Sequence, residues 1–122
     1  MARVVHFEVP ADEPEKLATF FEKTFGWSIR KWDGPDDYWL VMTGNEEEPG
    51  IDGGINRRSD GNSVVVNTID VEDLDATIAK IEANGGEITM PKMAVPGVGW
   101  MAYFKDPEGN VYGMMESDPG AS

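Results

Sequence analysis

The sequence from Gly99 to Glu116, GWMAYFKDPEGNVYGMME, predicts two paired strands and decides the fold. Two runs of aromatic, methionine and β-branched residues, Trp100 to Phe104 and Val111 to Met115, flank the sequence Asp-Pro-Glu-Gly-Asn at 106–110. Proline presets φ in such a turn, and glycine and asparagine tolerate positive φ. Because an isolated strand pair is unstable, further strands and covering helices must come from earlier in the chain.

Composition limits the class of protein and its partners. A chain of 122 residues with 40% hydrophobic residues predicts one globular domain. The formal net charge of −13 disfavours nucleic acid and anionic membranes as partners. No signal peptide or membrane-spanning run is visible, so we expect a cytoplasmic protein. The absence of cysteine excludes disulfides, thiolate nucleophiles and cysteine-based zinc sites.

Upstream of the final strand pair, the chain repeats one order of elements twice. Module one, at about 1–60, is predicted as strand 3–9, a helix from Pro14 to a C-cap at Gly26, and strands 27–33, 38–43 and 51–58. The turn-forming residues 59–62 follow. Module two, at about 61–118, has strand 63–69, a helix capped by Asp70 and ending at 84–86, and strands 87–90, 100–104 and 111–115.

This order predicts an α+β fold of two tandem βαβββ modules, followed by a short tail at 117–122. One helix for four strands covers only one face of a sheet, so two modules leave bare faces that curve around a shared hollow. The result would be a cup-shaped, mostly antiparallel sheet with room for a ligand. The proline- and glycine-rich stretch from Pro91 to Gly99 is predicted as an irregular lip over this pocket, and Phe20 and Phe21 as core residues of the first helix.

With this pattern in place, the chain resembles the vicinal oxygen chelate superfamily of glyoxalase-like, bleomycin resistance-like and dioxygenase-like proteins. The resemblance covers nearly the whole chain and is carried by residues 6–10, 25–27, Gly53-Gly54, Asp70, Gly85-Gly86 and 104–110. It implies a ligand site inside the cup and, for a single-domain member of this size, a homodimer.

The resemblance also implies four positions for metal-binding side chains, on the first and fourth strands of each module. In this sequence they fall on His6, Gly54, a residue on or beside Val64, and Gly113. Only His6 carries a donor, whereas a catalytic metal needs about three protein ligands. We therefore expect no metal or other cofactor. Glu8 and Glu116 are the acidic alternatives, although strand parity places Glu116 on the face opposite Gly113.

Other side chains are candidates for binding an organic ligand. Trp39, Trp100 and Tyr103 offer faces for stacking, although each is equally suited to the core. Arg58 would point into the cup if Gly54 marks its inner face, where it could clamp an anionic group; pairing with nearby acids is the commoner role for such an arginine. His6 is the only histidine. It either contacts ligand, with Glu8 as a possible partner in acid–base chemistry, or forms a structural hydrogen bond.

Three functions fit these observations. The first is a metal-independent domain that binds a small organic molecule. The second is a metal-dependent lyase, isomerase or dioxygenase with a reduced site of His6 and either Glu8 or Glu116. The third is a scaffold module whose cup is filled by its own side chains.

Overall fold

A computed structural model describes residues 2–59 and 63–122, and it confirms the predicted α+β class and the repeated βαβββ order. The predicted turn at 59–62 lies largely outside the described residues. The elements of the first repeat are β1 (Arg3–Ala11), α1 (Pro14–Phe25), β2 (Ser28–Lys31), β3 (Tyr38–Met42) and β4 (Asp52–Arg57). Those of the second are β5 (Val66–Asp70), α2 (Leu74–Ala83), β6 (Glu87–Val95), β7 (Gly99–Lys105) and β8 (Val111–Ser117).

The chain divides into two compact units. The N-terminal unit is residues 6–65, and the C-terminal unit is residues 66–122 with the N-terminal residues 2–5. In the N-terminal unit the strand order is β2-β3-β4-β1, with antiparallel pairs except for the parallel pair of β1 and β4. In the C-terminal unit the order is β5-β8-β7-β6, again with one parallel pair, β5 and β8.

Helix α1 covers one face of the N-terminal sheet. Pro14 occupies the first turn, where its missing N–H removes no hydrogen bond, and Gly26 ends the helix in the left-handed conformation at φ 74°. The core beneath the helix contains Ala18, Trp39 and Ile55, with Phe21 packed against it. The prediction for Phe20 was wrong, because its side chain lies on the outer side of the helix and is 55% exposed.

Helix α2 covers one face of the C-terminal sheet over a core of Val71, Leu74, Ala102 and Met114. Its N-cap is Asp73, whose carboxylate accepts the backbone N–H of Ala76 at 3.0 Å, and not Asp70 as predicted. Asp70 is instead the last residue of β5, and two residues separate it from the N-cap at Asp73.

Strand β6 is longer than the sequence predicts. The stretch 91–95, expected to be part of an irregular lip, continues the strand to Val95, and only residues 96–98 form a turn. The strand pairs with β7 through two register shifts, between Ile88 and Met90 and between Met90 and Met93. It lies at one end of the strand order of its unit, where a proline can be accommodated because no second neighbour needs its N–H.

Candidate functional site

The candidate site lies on the face of the N-terminal sheet that α1 does not cover. Phe7, Trp39 and Ile55 pack beneath the helix. Because side chains alternate along a strand, their neighbours His6 and Glu8 on β1, Tyr38 on β3 and Gly54 on β4 belong to the opposite face. We call these four residues the His6 cluster.

His6 and Tyr38 form the central contact of the His6 cluster. His6 Nε2 and the Tyr38 hydroxyl are hydrogen-bonded at 2.6 Å, a short distance for such a pair. Their rings are nearly parallel, with centroids 6.3 Å apart and an interplanar angle of 20°. Trp32 packs edge-on against Tyr38 at 6.3 Å, which restrains the orientation of the phenol ring. The hydrogen bond therefore joins two side chains that neighbouring rings already hold in place.

The glycine pair of β4 makes room for two aromatic rings, one on each face of the sheet. A Cβ built on Gly53 would overlap the ring of Phe7, and one built on Gly54 would overlap the hydroxyl of Tyr38. Neither glycine has a positive φ, so the requirement here is for space and not for an unusual backbone conformation. Gly54 is thus the position that allows Tyr38 to reach His6.

Burial sets the charge of His6. Desolvation lowers the pKa of His6 below its ordinary value of 6.5, while the carboxylates of Glu8 and Asp52 oppose this shift. Glu8 is itself only 8% exposed, and Asp52 accepts the backbone N–H of Thr43 at 2.9 Å. At neutral pH the imidazole is therefore neutral.

The C-terminal unit has a matching arrangement without a histidine. A Cβ on Gly113 would lie 3.0 Å from the ring of Tyr103 and 3.2 Å from Thr68 Oγ1. Thr68 on β5 is paired with Gly113 on β8, as Glu8 on β1 is paired with Gly54 on β4. In both units a tyrosine from the neighbouring strand therefore lies over the glycine, beside a buried polar residue of the first strand.

This register corrects one of the predicted metal positions. Val64 precedes β5, whereas Val66 lies two residues before Thr68, as His6 lies two residues before Glu8. Val66 is therefore the counterpart of His6, and it has no donor atom either. The sequence placed this position two residues early because it started the strand at Ser63.

The residues present do not fit the metal site that the superfamily resemblance implies. His6 is the one donor among the four positions, and the described residues contain no group of three or more His, Asp or Glu side chains able to hold an ion. Glu116, one of the acidic residues considered as a metal ligand, makes a different contact. Its Oε1 accepts the backbone N–H of Leu74 at the start of α2, at 2.8 Å.

The predicted stacking residues lie on different faces. Trp39 is 5% exposed in the core beneath α1, with the cations of Lys31 and Arg57 over its ring at 5.7 and 5.5 Å. Trp100 packs against the core beneath α2 and donates its Nε1–H to Asp118 at 3.0 Å. Both have the structural role that was the alternative to ligand stacking. Of the three predicted stacking residues, Tyr103 is the one that lies on a sheet face not covered by the helix of its unit.

Arg58 lies away from the His6 cluster. Residue 58 follows the end of β4, so strand alternation no longer directs its side chain, which donates to Asp12 at 2.9 Å. It lines a surface groove at the start of α1, together with Val9, Pro10, Ala11, Asp12, Glu13, Lys16, Leu17 and Phe20. Lys16, the other cation of the groove, pairs with Glu13 at 3.7 Å. Both cations are thus already in ion pairs.

Sequence reasoning missed Tyr38. Its strand was predicted, but Tyr38, Leu40 and Met42 are as apolar as the residues between them, so the alternation did not show which set faces the helix. The residue that could have indicated the role of Tyr38 is Gly54. In the sequence it was interpreted only as a metal position without a donor atom, and not as a position that leaves space for a neighbouring ring.

The paired βαβββ repeats, each with one helix over a four-stranded sheet, define the class of fold. The family model of the Glyoxalase/Bleomycin resistance protein/Dioxygenase superfamily matches residues 3–113, and the chain belongs to this superfamily. The predicted relationship is thereby confirmed.

Solved structures of this superfamily share the fold at low sequence identity. A variant of methylmalonyl-CoA epimerase from Streptomyces coelicolor, in complex with 2-nitronate-propionyl-CoA, has a TM-score of 0.69 and 13% identity over 98% of this chain and 97% of that one. A superfamily member from Vibrio splendidus 12B01 has a TM-score of 0.64 and 15% identity over 97% and 100%. No curated protein matches the sequence. Among the described residues, neither helix is long and apolar enough to cross a membrane.

Proposed function

We propose that this chain is a metal-independent member of its superfamily that binds a small organic molecule through the His6 cluster. The observation that carries the proposal is the hydrogen bond between His6 Nε2 and the Tyr38 hydroxyl, which occupies the imidazole nitrogen with a protein group. A neutral imidazole, a phenol and a carboxylate together offer hydrogen-bond donors and acceptors to an organic ligand.

A second feature of the same sheet supports a polar ligand. Asn56 is paired with Tyr38 across β3 and β4, and its Oδ1 is buried without a hydrogen-bond partner among the described residues. A buried acceptor without a donor costs free energy, which a ligand or water molecule that donates a hydrogen bond would recover. The ligand that we propose therefore has at least one N–H or O–H group, and an aromatic or apolar body suits the neighbouring rings of His6 and Tyr38.

Binding of aromatic fragments tests this proposal. Phenol, indole and benzamide are added to the protein while the imidazole signals of its only histidine are followed by NMR. We expect at least one fragment to shift the His6 signals in a saturable way, because the ring lies within the proposed site. Tyr38→Phe should weaken this binding, since it removes the hydroxyl from the site.

A matched control is Tyr112→Phe, which also removes one hydroxyl but from the hydrogen bond to Asp106 in the C-terminal unit. It should leave fragment binding unchanged. Fragments that bind elsewhere while the His6 signals stay constant would contradict the proposal and favour the scaffold alternative. A homodimer and a cytoplasmic location remain predictions from the sequence and the resemblance.

A further inference from the structure

We propose that Tyr38 determines the specificity of the His6 cluster: its hydroxyl replaces the absent second metal ligand and keeps divalent metal ions away from His6. The proposal rests on the metal-independent part of the proposed function and not on the binding of an organic ligand. It explains why His6, at the first of the four metal positions of the superfamily, is not part of a metal site in this chain.

The first argument is steric. The Tyr38 hydroxyl occupies the space in which the Cβ of any residue other than glycine would lie at position 54. A metal-binding side chain at 54 therefore requires the phenol of Tyr38 to leave its observed position. Because the φ of Gly54 is not positive, the backbone would accept a glutamate there once the phenol is removed.

The second argument is chemical. A metal ion binds the lone pair of an imidazole nitrogen, and the Nε2 atom of His6 is hydrogen-bonded to the Tyr38 hydroxyl. The carboxylates of Glu8 and Asp52 interact favourably with positive charge at His6, as would be needed for a cation. Local charge therefore does not keep an ion away. The obstacles at this end of the site are the lack of a donor at position 54 and the hydrogen bond of His6 Nε2 to Tyr38, which an ion would have to break.

Exchange of the two residues tests the proposal. Co²⁺ is titrated into the wild-type protein and into the double variant Tyr38→Ala with Gly54→Glu, with calorimetry and the NMR signals of His6 as readouts. We expect no saturable Co²⁺ binding at His6 in the wild type. The double variant should bind Co²⁺ at least about tenfold more tightly, because a carboxylate joins the imidazole as a second ligand.

The C-terminal unit provides the matched control. Tyr103→Ala with Gly113→Glu makes the same exchange where Val66 stands in place of histidine, so it should gain no such affinity. If the first double variant does not fold, Tyr38→Ala alone is measured, and its Co²⁺ affinity at His6 should exceed that of the wild type.

Two results would overturn the proposal. One is wild-type protein that binds Co²⁺ at His6 as tightly as the variants do. The other is a folded variant lacking Tyr38 that gains no affinity. Either result leaves the fragment experiment untouched, since that experiment reports organic ligands in the absence of added metal.

Discussion

A glycine can define a site through the side chain that it lacks. At Gly54 the absence of a donor atom and the position of the Tyr38 hydroxyl are linked, because a side chain at 54 and the hydroxyl would occupy the same volume. Gly53, the next residue, admits Phe7 to the helix-covered face in the same way. Substitution of either glycine by alanine should therefore displace the neighbouring aromatic ring before it disturbs the strand itself.

The lowered pKa of His6 makes a pH-dependent contribution to stability. The unfolded chain takes up a proton near the ordinary pKa of 6.5, but the folded chain takes it up only at lower pH. As the pH falls below 6.5, the unfolded state therefore binds more protons and the folded state loses stability. We expect His6→Gln, which keeps a polar group near Tyr38 but cannot titrate, to lose less stability between about pH 7.5 and 5.5.

Urea unfolding of both proteins at the two pH values measures this difference. Carboxylates that do not interact with His6 affect the wild type and the variant alike, so the difference between the two reports His6 together with its interactions with Glu8 and Asp52. Equal losses in both proteins would show that His6 titrates in the folded state as it does in the unfolded chain.

At the scale of elements, the start of α2 is held by two carboxylates. Asp73 caps the helix through the N–H of Ala76, and Glu116 of β8 accepts the N–H of Leu74. These are groups that a helix cannot satisfy within itself. Glu116 thereby also connects the helix to the sheet that it covers, which accounts for an acidic residue half-buried at the end of a strand.

Substitution of the two candidate caps distinguishes the predicted helix start from the observed one. Asp73→Ala should lower the free energy of unfolding by about 0.5–2 kcal/mol, the usual cost of removing a capping side chain. Asp70→Ala, at an exposed position in β5, should change it by about 0.5 kcal/mol or less. Chemical denaturation provides both values. A larger effect at Asp70 would place the cap there after all.

The sequence predicted most elements because their signals were local. Pro14 and Gly26 bound α1, and the turn at 106–110 bounds β7 and β8, as expected. The acceptor of that turn is Asp106, which takes the N–H groups of Glu108 and Asn110 at 2.9 Å each and a hydrogen bond from Tyr112. Hydrogen bonds from Asn110 are the main reason for its lowered pKa.

The misses depended on contacts between elements. Pro91 suggested a loop, but it is compatible with a strand that has a neighbour on one side only. Trp39 and Trp100 face their helices because each lies two residues from a core residue, Val41 and Ala102 respectively, and so on the same side of its strand. The sequence alone does not reveal which alternate set of a strand the helix covers. The pairing of His6 with Tyr38, 32 residues apart, is of the same kind.

For the whole molecule, the dominant property is charge. The chain has 23 acidic and 10 basic residues, and several of the basic ones are already paired, such as Lys31 and Arg57 with Asp37. The remaining acids repel one another in the folded state and are further apart in the unfolded chain. Part of the folding free energy is therefore offset by repulsion that added ions can screen.

Thermal unfolding at different salt concentrations tests this balance. Raising NaCl from about 0.02 to 0.5 M at neutral pH should raise the Tm, because the Debye length shrinks from more than 20 Å to a few ångströms. The same step at a pH where most carboxylates are protonated should have a smaller effect. An unchanged or lower Tm at neutral pH would show that attractive ion pairs outweigh the repulsion.

The irregular edge formed by β6 has a consequence for the behaviour of the protein at high concentration. A straight outer strand offers its free backbone groups to another molecule and can seed fibrils. In β6 the two register shifts distort that row, Pro91 removes one N–H, and Lys92 adds a charge beside Asp75. Pro91, which made this stretch look like a loop in the sequence, is thus one of the features that disfavour pairing of this outer strand with another molecule and amyloid-like growth.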